Sequence, residues 1–160
     1  MPKPFDVFVS YSHDDIALRR ELDKHLRTLR DAKVINIWTD SDIMPGTEWE
    51  SQILDNLNNA QIILLLVSSD FLASDFCQSV ELSAALRRHE ANTARVIPII
   101  LRPVFWKIAP FGKLQALPLL DKRPLPVTSW SKHDDAWENV AEGIYAIAEE
   151  LEQKEQGANP

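Results

Sequence analysis

The unbroken aliphatic run Ile62-Ile-Leu-Leu-Leu-Val67 constrains the fold more than any other stretch of the chain. On an extended backbone, consecutive side chains point to opposite faces, so a strand that is apolar throughout must be covered on both sides. That is the signature of a central strand in a parallel sheet packed between helices. The run is also far too short to cross a bilayer, and no longer apolar run exists in the chain.

The rest of the pattern agrees with a parallel sheet. Short apolar runs at 5–11, 34–38, 61–67 and 95–101 read as strands, and Leu125–Val127 as a short fifth strand at an edge. Between them lie amphipathic segments, the first carrying Leu18, Leu22, Leu26 and Leu29 at helical spacing. Ser12 with Asp15, Thr47 with Glu50, and Asp75 with Gln78 stand where capping boxes open helices. A last helix is expected from Asp134, with Trp137, Val140, Ile144, Ile147 and Leu151 inward. Pro98 interrupts the fourth strand and must sit where no ladder donor is needed. Residues 102–124 are proline-rich and read as an irregular connection. The expected architecture is α/β: a flavodoxin-like, open, doubly wound sheet of five parallel strands with helices on both faces. It spans residues 1–152, and 153–160 form a polar tail or linker.

Charge and cysteine content narrow the function classes. A net charge of −7, with Arg87-Arg88 as the one basic pair of note, argues against a nucleic-acid partner. That pair reads as a solvated helix end. The single cysteine rules out an internal disulfide and fits a reducing, cytoplasmic setting, and the first residues show no apolar leader.

In open α/β sheets, ligands bind beyond the carboxyl ends of the strands. The segments collected there are 10–15, 38–46 and 68–81. Glu81 stands out among them, because its helical neighbours at three and four residues are Cys77, Gln78, Ala84 and Ala85, none of them basic. An acidic Mg²⁺ pocket built from Asp14, Asp15 and Asp70 is a competing reading. It wants a lysine just after the fifth strand, where this chain has Thr128-Ser129-Trp130. The four histidines (His13, His25, His89, His133) lack metal-ligand spacing, and with four glycines there is no phosphate-cradling loop. No metal site and no bound cofactor are expected.

An ordered series of motifs resembles the Toll/interleukin-1 receptor (TIR) domain family, in particular its bacterial members. The series runs Asp6-Val-Phe-Val-Ser-Tyr-Ser12, then Trp38-x-Asp40-x-x-Ile43-x-Pro45-Gly46-x-x-Trp49 across the family's BB loop. It continues through Phe71-Leu-Ala-Ser-Asp-Phe-Cys-Gln-Ser-Val-Glu81 and Arg95-Val-Ile-Pro-Ile-Ile-Leu-Arg-Pro103 to the segment 130–144, covering residues 4 to 150. The resemblance implies a domain that signals by self-association, with Met44, Pro45 and Gly46 in the BB loop. It also implies hydrolysis of NAD⁺ to nicotinamide and ADP-ribose or a cyclic relative, in bacterial signalling or defence. On that reading Glu81 is the catalytic carboxylate, and NAD⁺ is a substrate rather than a cofactor. Ser10, Tyr11, Ser12, Trp38, Asp40, Ile43, Phe76 and Cys77 correspond to the substrate-binding wall. Several active relatives carry tryptophan where this chain has Cys77, and Tyr11, Trp38 or Phe76 is the candidate replacement. Other TIR domains and a fused or partner sensor domain are the implied partners, with neither nucleic acid nor membrane. The alternative is a non-enzymatic adaptor that works through TIR–TIR contacts alone.

Overall fold

The computed structural model describes residues 3–38, 46, 49–74 and 80–158. In chain order these form β1 (Phe5–Ser10), α1 (Ile16–Asp31), β2 (Ile35–Trp38), α2 (Trp49–Asn59), β3 (Ile62–Val67) and the one-turn α3 (Ser69–Leu72). There follow α4 (Val80–Glu90), β4 (Arg95–Ile100), the small pair β5 (Leu119–Leu120) and β6 (Arg123–Pro124), and α5 (His133–Ala158). The main sheet is parallel with order β2-β1-β3-β4, and β5 pairs antiparallel with β6.

Alternation along the strands divides the core into two layers. Val7 and Val9 of β1, Leu64 and Leu66 of β3, and Ile97 and Ile99 of β4 pack with Leu22 and Leu26 of α1 and Trp137, Val140 and Ile144 of α5. On the opposite face Phe8, Ile63, Leu65, Val67 and Ile100 pack with Leu57 of α2, Phe71 of α3, and Leu82 and Ala85 of α4. Every residue of β3 is buried, as a strand sandwiched between two helical layers requires. Helices therefore cover both faces, and the strand order is that of a flavodoxin-like fold.

The fifth strand differs from expectation. Leu125–Val127 does not join the sheet; Val127 instead opens a 3₁₀ turn, Val127–Ser129. Pro124 and Pro126 flank Leu125 and lack amide hydrogens, so this segment is a poor ladder partner. The place beside β4 goes to Leu117, which bridges Ile99 in the parallel sense. Its amide donates to the Pro98 carbonyl at 2.9 Å, and its carbonyl accepts from the Ile100 amide at 2.8 Å. Pro118 follows at once, which limits the pairing. Pro98 sits on this edge, where its missing donor costs no ladder bond to β3.

Two further details complete the frame. The edge of β4 nearer its start is closed by a side chain: His89 Nδ1 accepts the Val96 amide at 3.1 Å. The final helix starts at His133 and runs through Ala158, over most of the residues read from sequence as a polar tail. The Thr47–Glu50 and Asp75–Gln78 caps involve positions outside the described residues.

Candidate active site at the carboxyl ends of the strands

The neighbours of β1 set the location. β2 lies on one side of it and β3 on the other, so the chain leaves this point of the sheet in opposite directions and opens a crevice there. Ser10 ends β1 and is buried. It is in register with Leu65, so its side chain points toward the layer of α2 and α4. Trp38 ends β2 on the same face, opposite Phe8, with the two rings stacked at 5.7 Å and 10°.

Glu81 lies in the first turn of α4 and is half-buried. Leu82 and Ala85 turn into the core, which puts Glu81 on the flank of the inward face. The direction of that flank follows from Arg88, seven residues on and on the same stripe of the helix. Arg88 Nη1 donates to the Leu57 carbonyl at the end of α2, at 2.8 Å, and Nη2 to the Thr93 carbonyl at 2.8 Å. The Glu81 stripe therefore faces α2, on the sheet face that Ser10 and Trp38 share. An acidic residue in a first turn also complements the helix dipole, so this position is a comfortable one for a carboxylate. Arg88 itself is no solvated helix end: it staples α4 to α2, and burial pulls its guanidinium below the ordinary arginine range.

The other residues of the first loop are placed differently. Tyr11 packs against the α1–α5 layer, with the Arg19 guanidinium 5.0 Å above its ring and His13 edge-on at 5.7 Å. Ser12 caps the 3₁₀ turn His13–Asp15, its Oγ accepting the Asp14 amide at 3.3 Å.

The acidic residues of this region do not form a cation pocket. Asp15, read from sequence as the capping partner of Ser12, is buried instead; Ser68 Oγ donates to its Oδ2, and Arg102 Nε donates to its Oδ1 at 2.9 Å. Arg102 Nη2 donates to Asp70 Oδ2 at 2.6 Å. A guanidinium thus occupies the space that a metal reading would assign to Mg²⁺. The Asp15 hydrogen bond, chiefly, raises the Arg102 pKa further above its ordinary value. Among the described residues no group of three or more metal-binding side chains occurs. Sequence reasoning passed over Arg102 as a site residue, because its partners lie 87 and 32 residues away.

The profile of the TIR domain family matches residues 7–139. The chain is a TIR domain. It is also similar to an uncharacterized protein, y4lF, of Sinorhizobium fredii (strain NBRC 101917 / NGR234), with 46% identity over 142 residues. That match covers 89% of this chain and 43% of the relative, so the chain spans less than half of the relative's length.

In this TIR domain Asp40, Ile43, Met44, Pro45, Phe76 and Cys77 lie outside the described residues. Gly46 is described, and its φ of +85° lies in the left-handed region that glycine enters without steric cost. Two clefts among the described residues lie away from Glu81. One of about 500 Å³ borders β4 and α5, between Lys113 and Gly143, and one of about 950 Å³ runs along the seam between α1 and α5. Topology and residue chemistry mark the candidate site. No helix among the described residues is long and apolar enough to cross a membrane.

Proposed function

We propose that this TIR domain is an NAD⁺ glycohydrolase that cleaves the nicotinamide–ribose bond, with Glu81 as its catalytic carboxylate. The observation that carries the reading is the placement of Glu81: half-buried in the first turn of α4, on the sheet face shared by Ser10 and Trp38.

One carboxylate suits this reaction. Glycosidases commonly need a second because an alkoxide leaving group must be protonated as the bond breaks. The pyridinium of NAD⁺ is already cationic. It departs with the bonding electron pair as neutral nicotinamide, and positive charge develops on the ribose. Water then adds at the anomeric carbon and releases its proton to solvent, giving ADP-ribose; attack by a group of the adenosine half gives a cyclic product instead. A fixed carboxylate beside the ribose stabilises the oxocarbenium-like state, a contribution of several kcal/mol in a water-poor cleft. Glu81 takes that role, Ser10 contacts the ribose or its phosphates, and Trp38 supplies an aromatic surface.

Self-association through the BB loop, around Met44, Pro45 and Gly46, brings copies of the domain together and raises activity. NAD⁺ and other TIR domains are the partners in this reading, and a sensor domain fused or recruited to the chain is the trigger. Purified protein incubated with NAD⁺, dispersed and then clustered on beads, tests it: nicotinamide release that rises with clustering supports the glycohydrolase. Cys77, where active relatives often carry tryptophan, favours the second reading of a non-enzymatic adaptor. No nicotinamide under either condition would select that one.

A further inference from the structure

Asp15, Ser68, Asp70 and Arg102 come from three connections, those leaving the carboxyl ends of β1, β3 and β4. We infer that Arg102 is a positioning residue for the NAD⁺ site, an inference that rests on the glycohydrolase reading above. Its guanidinium locks the loop that follows Ser10 to the turn from which the chain proceeds to Glu81.

Burial holds Asp15 in place. Asp15 is 3% exposed, and both of its carboxylate oxygens are engaged, one by Arg102 and one by Ser68. Shifting the β1–α1 loop would break both hydrogen bonds of a buried carboxylate, which is costly. Ser68 extends the hold, because its Oγ also accepts the Phe71 amide at 3.1 Å and so fixes the start of α3. Phe71 is in turn seated in the core, edge-on to Phe111 at 6.4 Å.

The Arg102 guanidinium is planar and rigid. Nε reaches Asp15 and Nη2 reaches Asp70, so a single rigid plane fixes the spacing of the two loops. A lysine offers one nitrogen and no fixed spacing. The outer half of the clamp is open to water: the Arg102 side chain is 33% exposed and that of Asp70 45%. Asp70 therefore adds little to packing, and its removal separates positioning from folding.

The test compares the wild-type chain with Asp70→Asn, Arg102→Lys and Arg102→Ala in NAD⁺ cleavage under clustering, thermal melting, and amide exchange at residues 11–15 and 81–84. Asp70→Asn is expected to melt within about 2 °C of wild type. Its kcat should nevertheless fall by about tenfold or more, KM should move less, and exchange should quicken in both segments. Arg102→Lys should lose more activity than Asp70→Asn, and free guanidinium, but not methylammonium, should restore part of the kcat of Arg102→Ala. Wild-type kcat and exchange in both Asp70→Asn and Arg102→Lys would overturn the inference, as would activity that merely tracks the folded fraction. If wild type itself cleaves no NAD⁺, the glycohydrolase reading fails separately and exchange decides the clamp. Quickened exchange in both segments then upholds it, and unchanged exchange overturns it.

Discussion

His89 Nδ1 accepts the amide hydrogen of Val96 at 3.1 Å, so a side chain occupies an edge position that a neighbouring strand's carbonyl would otherwise fill. Accepting through Nδ1 requires a neutral ring with its proton on Nε2. Burial chiefly, and the nearby Arg95 charge next, push the His89 pKa below its ordinary 6.5, while Glu90 pulls the other way.

A pH dependence follows. The unfolded chain takes up the proton first, at about 6.5, whereas the folded chain resists it. The contribution of His89 is therefore fully present above that value and is lost as pH falls from it toward the folded pKa. The hydrogen bond at stake is worth about 1 kcal/mol. Urea unfolding at about pH 7.5 and about pH 5, above the carboxylate range, should show a loss of stability that His89→Gln reduces. An equal pH dependence in the two proteins would contradict the assignment.

Arg87 and Arg88 are adjacent in sequence and opposite in consequence. Arg88 donates to two carbonyls, whereas Arg87 is exposed. Charge-assisted bonds of this kind contribute about 1.5–3 kcal/mol, so Arg88→Ala should cost about 2 kcal/mol. For a chain of this size that corresponds to a fall of roughly 4–8 °C in Tm. Arg87→Ala should stay within about 0.5 kcal/mol of wild type. Thermal or chemical melting of the pair decides it.

Much of the fold was legible because it rests on local periodicity. The aliphatic run at 62–67 announced a strand buried on both faces, and the leucines of α1 announced their helix. Pro98 was rightly read as lying where the sheet needs no donor. What failed was tertiary. Leu125–Val127 looked like a strand by composition, yet Pro124 and Pro126 were a readable warning, and nothing local marked Leu117 as the residue that would pair with β4. Arg102 and Arg88 have their partners far away in sequence, and no spacing rule reports a contact across 87 residues. The membership in the TIR family came from an ordered series of motifs, and the reaction proposed for Glu81 rests on that membership together with its position on α4.

The two aromatic residues of the crevice should separate by sheet face. Trp38 lies on the α2–α4 side with Phe8, while Tyr11 packs with Arg19 on the other. If Trp38 forms part of the NAD⁺ surface, Trp38→Ala should raise KM by about 3- to 10-fold, the equivalent of one stacking contact. Tyr11→Leu should leave KM near the wild-type value and lower stability instead. Steady-state kinetics on both variants, with melting curves alongside, check this; the reverse pattern would move the substrate surface to the Tyr11 side.

Glu81 is the residue whose carboxylate is proposed to perform the chemistry. Glu81→Gln preserves size while removing the charge and turning one acceptor oxygen into a donor, and α4 should keep its fold. The decisive measurement is nicotinamide release from NAD⁺ by clustered wild type and clustered Glu81→Gln, each confirmed folded by its melting curve. Catalysis by Glu81 predicts turnover by wild type and a loss of about 100-fold or more in the variant, as expected when preorganised charge stabilisation is removed. A folded Glu81→Gln protein that consumes NAD⁺ at the wild-type rate would contradict it.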